Sequence, residues 1–292
     1  MRISASSTII LSVILDFHTH VVPPKIKKGR DEYLGRDACF SLIYAEPEAK
    51  LITAEELVTA MDEYEIDKSV ILNLGWVSHE LCVETNDYIL ESIARHPKRL
   101  IGFCAIQPSA GDEALKELER CARNGVKGIG EMRPDVQGFD LSDGKIMKPI
   151  IKALIKHHLV FLTHASEPVG HLYCGKGTIT PEFIYPFILS APDLKLVCAH
   201  WGGGLPFYAL MPEVDRALNN VYFDTAATPF LYTPQIFKQV ADIIGSDRIL
   251  FGSDYPLLSP KRIIDQIEST GLSQKDKAKI LGGNAQKLLA IK

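Results

Sequence analysis

No two of the six cysteines stand close enough to form a C-x-x-C pair; Cys39, Cys82, Cys104, Cys121, Cys174 and Cys198 are scattered along 292 residues. That spacing argues against a zinc knuckle or a disulfide framework. Reduced thiols in a cytoplasmic protein are the expectation. No basic stripe exists either: net charge is −4, with Lys and Arg interspersed among Asp and Glu, so nucleic acid is not an expected partner. No apolar run is long enough to span a bilayer, so no membrane partner is expected. The first apolar run is not followed by G-x-G-x-x-G, and G-x-x-x-x-G-K-[ST] occurs nowhere, which removes the common nucleotide-phosphate fingerprints. There is no internal repeat, low-complexity tract or linker, so residues 1–292 read as one domain. The opening MRISASSTIILSVIL imitates a signal peptide, but its apolar run is short and no small-residue cleavage site precedes DFHTH. Residues 1–8 read as a loose extension and the following ones as the start of a strand.

What is present is a globular composition, 46% hydrophobic and 23% charged, able to bury a large core. Short β-rich apolar runs alternate with longer amphipathic segments. The runs are 9–17, 69–74, 100–106, 126–130, 159–164, 194–200, 221–225 and 249–254. Most are continuously apolar, as parallel strands covered on both faces are. Helices are expected over 53–66, 84–96, 112–125, 145–158, 181–191, 206–218, 233–245, 259–270 and 273–289. Thr53 with Glu56 three residues on is a capping box. Pro186 and Pro212 are expected to kink or end their helices, and Gly283–Asn284 to divide the last segment. Eight strand-then-helix units predict an α/β fold, a single-domain (β/α)8 TIM barrel. The segment 21–50 is too long for a plain connection and reads as a first βα loop able to cover a site.

In such a barrel, functional side chains stand at the C-terminal ends of the strands. Strand one ends in His18 and His20, strand four in Glu131, strand five in His164, strand six in His200 and strand eight in Asp254. In extended chain, residues i and i+2 share a face, so His18 and His20 can aim at one point while Thr19 turns into the packing. Each residue alone has an ordinary alternative. His18 and His20 can sit in a turn, and His164 and His200 can be satisfied core histidines. Asp254 can close an Asx turn, and Glu131 can pair with Arg133. Together they form a set of imidazoles and carboxylates suited to zinc, with manganese or iron as alternatives, holding one ion or two. Such an ion would activate a water, Asp254 would accept its proton, and His200 would hold the water or polarise a carbonyl.

DFHTH, LTHASEP, CAHWGGGLP and FGSDYP in this order, with the closing GGNAQKLL, resemble the amidohydrolase superfamily, specifically its amidohydrolase-related group of aminocarboxymuconate-semialdehyde decarboxylase-like proteins. The resemblance spans essentially the whole chain. It implies a metal held by His18, His20, His164 and Asp254, with His200 as a further ligand or water-orienting residue. No lysine ends strand four, so a carbamylated-lysine bridge is unavailable; Glu131 there looks like the bridging glutamate of TatD-type hydrolases. Substrate-binding candidates follow the strands: Trp76, His79, Arg133, Glu167, His171 and Tyr173. Arg133 would clamp a substrate carboxylate or simply pair with Asp135. The leading expectation is a metal-dependent hydrolase of a small amide, ester or lactone, with Asp254 and His200 catalytic. The alternative is a metal-dependent decarboxylase of an unsaturated or aromatic acid, and a third reading is a metal-binding barrel without turnover. The expected partners are a small-molecule substrate and a second copy of the chain, as a homodimer.

Overall fold

The computed structural model describes residues 13–173 and 175–291. The extension expected over residues 1–8, and residues 9–12 of the first expected strand, lie outside them. Eight strands run β1 Leu15–His20, β2 Lys68–Leu72, β3 Leu100–Cys104, β4 Gly128–Met132, β5 Val160–Thr163, β6 Leu196–Cys198, β7 Val221–Asp224 and β8 Ile249–Leu250. They form one parallel sheet in sequence order. Between β8 and β1 the ring is completed by Phe17 N donating to Phe251 O at 2.7 Å, Asp254 N to His18 O at 2.9 Å and His20 N to Tyr255 O at 2.8 Å. This is the (β/α)8 barrel, as one domain.

Strand residues divide between two cores. Leu15, Phe17, Val70, Leu72, Phe103, Val160, Leu162, Val197 and Leu250 fill the barrel interior, closed below by Leu288 and Leu289 of the last helix. Ile71, Ile129, Phe161, Leu196, Phe223 and Ile249 face outward against the helices. Burial on both faces explains why the strands read as unbroken apolar runs.

The helix Ala54–Glu63 starts at the expected capping box, with Thr53 Oγ1 accepting from Glu56 N and Glu56 Oε2 accepting from Thr53 N. Pro186 lies within the helix Pro181–Ser190 rather than ending it, and Pro212 begins the helix Pro212–Ala217. The helix expected over 206–218 is α-helical only in its second half: the chain runs as a 3-10 helix up to Leu210 and is broken at Met211, which is extended (φ −88, ψ 120). Ahead of it, residues 200–204 follow a run of left-handed backbone, from His200 (φ 55) and Trp201 (φ 58) to Gly204 (φ 89). The last segment divides at Gly283–Asn284 as expected.

The segment 21–50 is not open loop. It carries the short helices Pro24–Lys28, Arg30–Arg36 and Ala38–Tyr44. Asp37 caps the third through Cys39 N and Phe40 N, and its other oxygen accepts Val77 N at 2.8 Å. Arg30 ties the segment's end by donating to the carbonyls of Tyr44, Glu46, Pro47 and Ala49. Among the described residues no helix is long and apolar enough to cross a membrane.

Candidate metal centre

Two one-residue bulges aim the site. Along β1 the pairing with β2 passes from Asp16↔Ser69 to Thr19↔Ile71, so β1 carries one extra residue. Phe17 packs on Phe103, two strands away, at 5.7 Å between ring centroids. Phe17 and the following His18 thus both face the barrel interior, which regular alternation would forbid. Thr19 turns away and donates to Val70 O at 2.7 Å. Along β4 the pairing with β5 passes from Ile129↔Phe161 to Met132↔Thr163, and the same device delivers Glu131 from inside the strand. The sequence placed β4 at 126–130, with Glu131 just past its end; the strand instead begins at Gly128 and continues through Met132.

The side chains meet at the C-terminal mouth. His18 Nε2 and His20 Nε2 are 3.1 Å apart. Asp254 Oδ1 lies 3.7 and 3.4 Å from these two nitrogens, and Glu131 Oε2 lies 3.8 and 3.6 Å from them. Two ligand groupings result: His18 with His20 and Asp254, and His18 with Glu131 and His200. His164 joins neither. Its Nδ1 meets Glu131 Oε1 at 2.9 Å and its Nε2 meets Ser166 Oγ at 3.0 Å. Glu131 is the hub, because Oε1 is also 3.3 Å from His200 Nε2. His200 and Asp254 both hold left-handed backbone, φ 55 and φ 67, a conformation uncommon outside glycine that Asp and His adopt more readily than most residues.

The donor chemistry fits a divalent cation. His18 Nδ1 is held by Asp224 Oδ2 at 2.8 Å, both side chains fully buried. A carboxylate there fixes the proton on Nδ1 and leaves the Nε2 lone pair facing His20. His20 Nδ1 is buried with no partner. Two imidazole nitrogens this close, flanked by two carboxylates, are best satisfied by positive charge between them. The electrostatics of the site agree. Burial opposes charge on His18, but Asp224, Glu131 and Asp254 overcome it and push its pKa up to about 10. Burial likewise opposes charge on His200, and Glu131 and Asp254 raise it to about 9. Asp254 is held down to about 2: burial would raise it, but the surrounding histidines prevail. Burial would raise Glu131 too, yet His164 and His200 hold it well below the usual carboxylate range. His164 drops to about 4, through burial and the neighbouring Arg133 charge, so its imidazole is neutral.

The six substrate candidates separate. Arg133 is buried, and its guanidinium pairs with Asp135 at 3.3 Å through Nε and Nη2. It stays beside the site, since a Cβ built on Gly177 would meet both Arg133 Nη2 and His164 Cδ2. Glu167 and Tyr173 share a hydrogen bond at 3.2 Å, and His171 is exposed with its ring 5.5 Å from that of Tyr173. Trp76 does not line the mouth: it is fully buried, stacks on Phe40 at 5.6 Å and donates to Asn73 Oδ1. His79 opens the helix His79–Arg95, close enough to Glu113 of the next helix to influence its charge. Trp201 is likewise fully buried and donates to Thr228 Oγ1 at 2.8 Å.

Three contributors were not anticipated. Asp224 ends β7, so the strand-end rule that found His164 and His200 would also have found it. Ser166 is bonded to His164, and no sequence pattern marks it. Tyr44 comes from the third short helix of the first loop; burial raises its hydroxyl, with Asp254 and Glu131 adding to the shift. Only the folding of that loop onto the mouth reveals this.

Residues 15–291 match the family model described as Amidohydrolase, and the chain belongs to that family. Curated relatives include the gamma-resorcylate decarboxylase of Polaromonas sp. strain JS666, 26% identical over 80% of this chain and 86% of the relative. Another is the 2-amino-3-carboxymuconate-6-semialdehyde decarboxylase of Dictyostelium discoideum, 22% identical over 96% of this chain and 92% of the relative. Among solved structures, the 5-carboxyvanillate decarboxylase of Novosphingobium aromaticivorans, complexed with manganese and 4-hydroxy-3-methoxy-5-nitrobenzoic acid, superposes with a TM-score of 0.79. It is 19% identical and covers 96% of each chain. These findings correct the expectation of a hydrolase of amides, esters or lactones. A metal with imidazole and carboxylate ligands serves hydrolysis and decarboxylation alike, so strand-end residues could not separate the two reactions.

Proposed function

We propose that this chain is a metal-dependent decarboxylase of a small aromatic or unsaturated carboxylic acid. The observation that carries the reading is that relatives matching most of the chain are decarboxylases, combined with a mouth whose buried imidazoles and carboxylates suit a divalent cation. His18, His20 and Asp254 would hold the ion, with Glu131 and His200 beside it and His164 hydrogen-bonded to Glu131. Manganese is the first metal to try, since the 5-carboxyvanillate decarboxylase carries it; zinc is the second. When bound, the cation supplies a positive anchor that orients the acid and draws electron density from it.

The remaining work falls to the chain. Breaking the bond between carbon and carboxylate releases carbon dioxide and leaves an electron pair on carbon, which must take up a proton. His200 holds a proton at Nε2 beside Glu131 and is the residue placed to deliver it. Asp254 stays ionised and keeps His20 and His18 aligned. Arg133 can meet an anionic group of the substrate if it exchanges its contact with Asp135. The test is carbon dioxide release from hydroxylated aromatic acids by protein reconstituted with manganese. Release that needs the metal, stops with chelator and is lost in His18→Ala supports the reading; an inert metal-loaded protein across such a panel sinks it.

A further inference from the structure

Glu167 presents a buried acceptor with nothing to accept. Oε2 takes the hydroxyl of Tyr173 at 3.2 Å, while Oε1 is buried and has no hydrogen-bond partner. Buried polar atoms are almost always satisfied, and one that is not needs an explanation. The surroundings are built rather than accidental. Glu167 is next to Ser166, whose hydroxyl meets His164 Nε2 at 3.0 Å and accepts Gly177 N at 2.9 Å. From β6, Gly203 (φ 60) passes so close that a Cβ there would collide with the Ser166 carbonyl. From β7 comes Tyr232, whose hydroxyl lies 3.6 Å from a Cβ built on Gly204. Its pKa is raised by burial, then by the Glu167 charge and by hydrogen bonding toward Glu167, though no donor reaches Oε1 at hydrogen-bond distance. Three strand-end loops thus converge on one carboxylate on the same rim as the metal centre. Tyr173, held up by burial and by Glu167, is also within reach of Ser166 and Arg133.

We propose that Glu167, framed by Tyr173 and Tyr232, is a specificity-determining residue that accepts a hydrogen bond from a hydroxyl or amino group of the substrate remote from its reacting carboxylate. The inference rests on the decarboxylase reading for the identity of the substrate's other end. The chemistry is directional. A second carboxylate is repelled from Glu167 and is steered toward the cation and Arg133, while a donor is drawn to Oε1. Substrates lacking the donor leave Oε1 desolvated and unpaired, and so bind worse.

Matched pairs of benzoates, hydroxylated or O-methylated at the 3, 4 or 5 position, test this on the manganese-loaded protein. Substituents at position 2 are avoided because they would touch the cation. Affinities are read by calorimetry for the wild type, Glu167→Met and Glu167→Gln. The wild type should favour a hydroxylated member of at least one pair by about tenfold. Glu167→Met should erase that preference, Glu167→Gln should retain part of it, and all three should hold equal manganese and melt alike. An equal preference in wild type and Glu167→Met overturns the proposal, as does absence of any preference in the wild type. If Glu167→Met fails to hold manganese, Glu167→Gln against Tyr173→Phe decides: a preference that falls only with Tyr173 overturns it. Donor preference without carbon dioxide release would refute the decarboxylase reading and leave this assignment standing.

Discussion

Asp224 Oδ2 stands 2.8 Å from His18 Nδ1, with both side chains fully buried. The other oxygen, Oδ1, accepts the backbone N–H of His200 at 2.8 Å and of Ala226 at 3.1 Å. One carboxylate therefore sets the tautomer of His18 and the backbone position of His200. Asp224→Asn keeps the shape and removes the charge that fixes the proton on Nδ1. Manganese affinity should fall about 10- to 100-fold, the usual effect of losing such a supporting group. Competition with a fluorescent chelator measures it, and an unchanged affinity would show that Asp224 serves only packing.

Protons and metal compete for the same nitrogens, and the sign follows from the shifts. Without metal, the carboxylates around His18 and His200 overcome burial and raise their pKa values to about 10 and about 9, above the unfolded value of about 6.5. Their protonation stabilises the metal-free fold fully below about pH 6.5, and that stability is lost as pH rises through 9 to 10. Of these two rings, the ion needs His18 deprotonated at Nε2; His200 stands beside it and keeps its proton. The rise in melting temperature on adding saturating manganese should therefore grow steadily from pH 6.5 to pH 9. Thermal scans across this range check it; a rise that shrinks with pH would place the ion on other groups.

Trp76 was expected to touch substrate, yet it stacks on Phe40 beneath the first loop and bonds to Asn73. Trp76→Ala should cost about 3–5 kcal/mol of stability while leaving manganese stoichiometry per folded molecule unchanged. Chemical denaturation and elemental analysis of the same preparation separate the two effects. A variant of normal stability would contradict the packing role.

Gly177 runs between Asp135, Arg133 and His164, with Thr178 N donating to Asp135 Oδ2 at 3.1 Å. A methyl group there has no free space, so Gly177→Ala should push the loop after β5 off Asp135 and weaken turnover severalfold, with little change in secondary structure. Steady-state kinetics beside circular dichroism provides the check; wild-type kinetics would mean that the loop need not close on Asp135.

The barrel was readable because strands buried on both faces leave unbroken apolar runs, and because Thr53 and Glu56 announce a helix start by chemistry alone. The ends of runs were less readable. The run 249–254 pairs as a strand only through Leu250. Beyond it, the amide of Phe251 goes to Ile280 O, that of Gly252 to Thr225 Oγ1 and that of Ser253 to Asp16 Oδ1. No local pattern reveals partners so distant. The bulges at His18 and Glu131 are likewise invisible to a period-two reading, although the strand-end rule found both residues. The helix expected over 206–218 was divided by the extended backbone of Met211 before Pro212, and the choice between hydrolysis and decarboxylation was not encoded in residue types.

The most direct measurement is the reaction of manganese-loaded protein with a hydroxylated aromatic acid in deuterium oxide, followed by mass spectrometry and carbon dioxide quantitation. The account predicts one carbon dioxide per acid consumed and one deuterium at the vacated carbon, with neither formed after chelation or in Asp254→Asn. Consumption of an ester, amide or lactone by the same preparation, with every acid in the panel left intact, would contradict it.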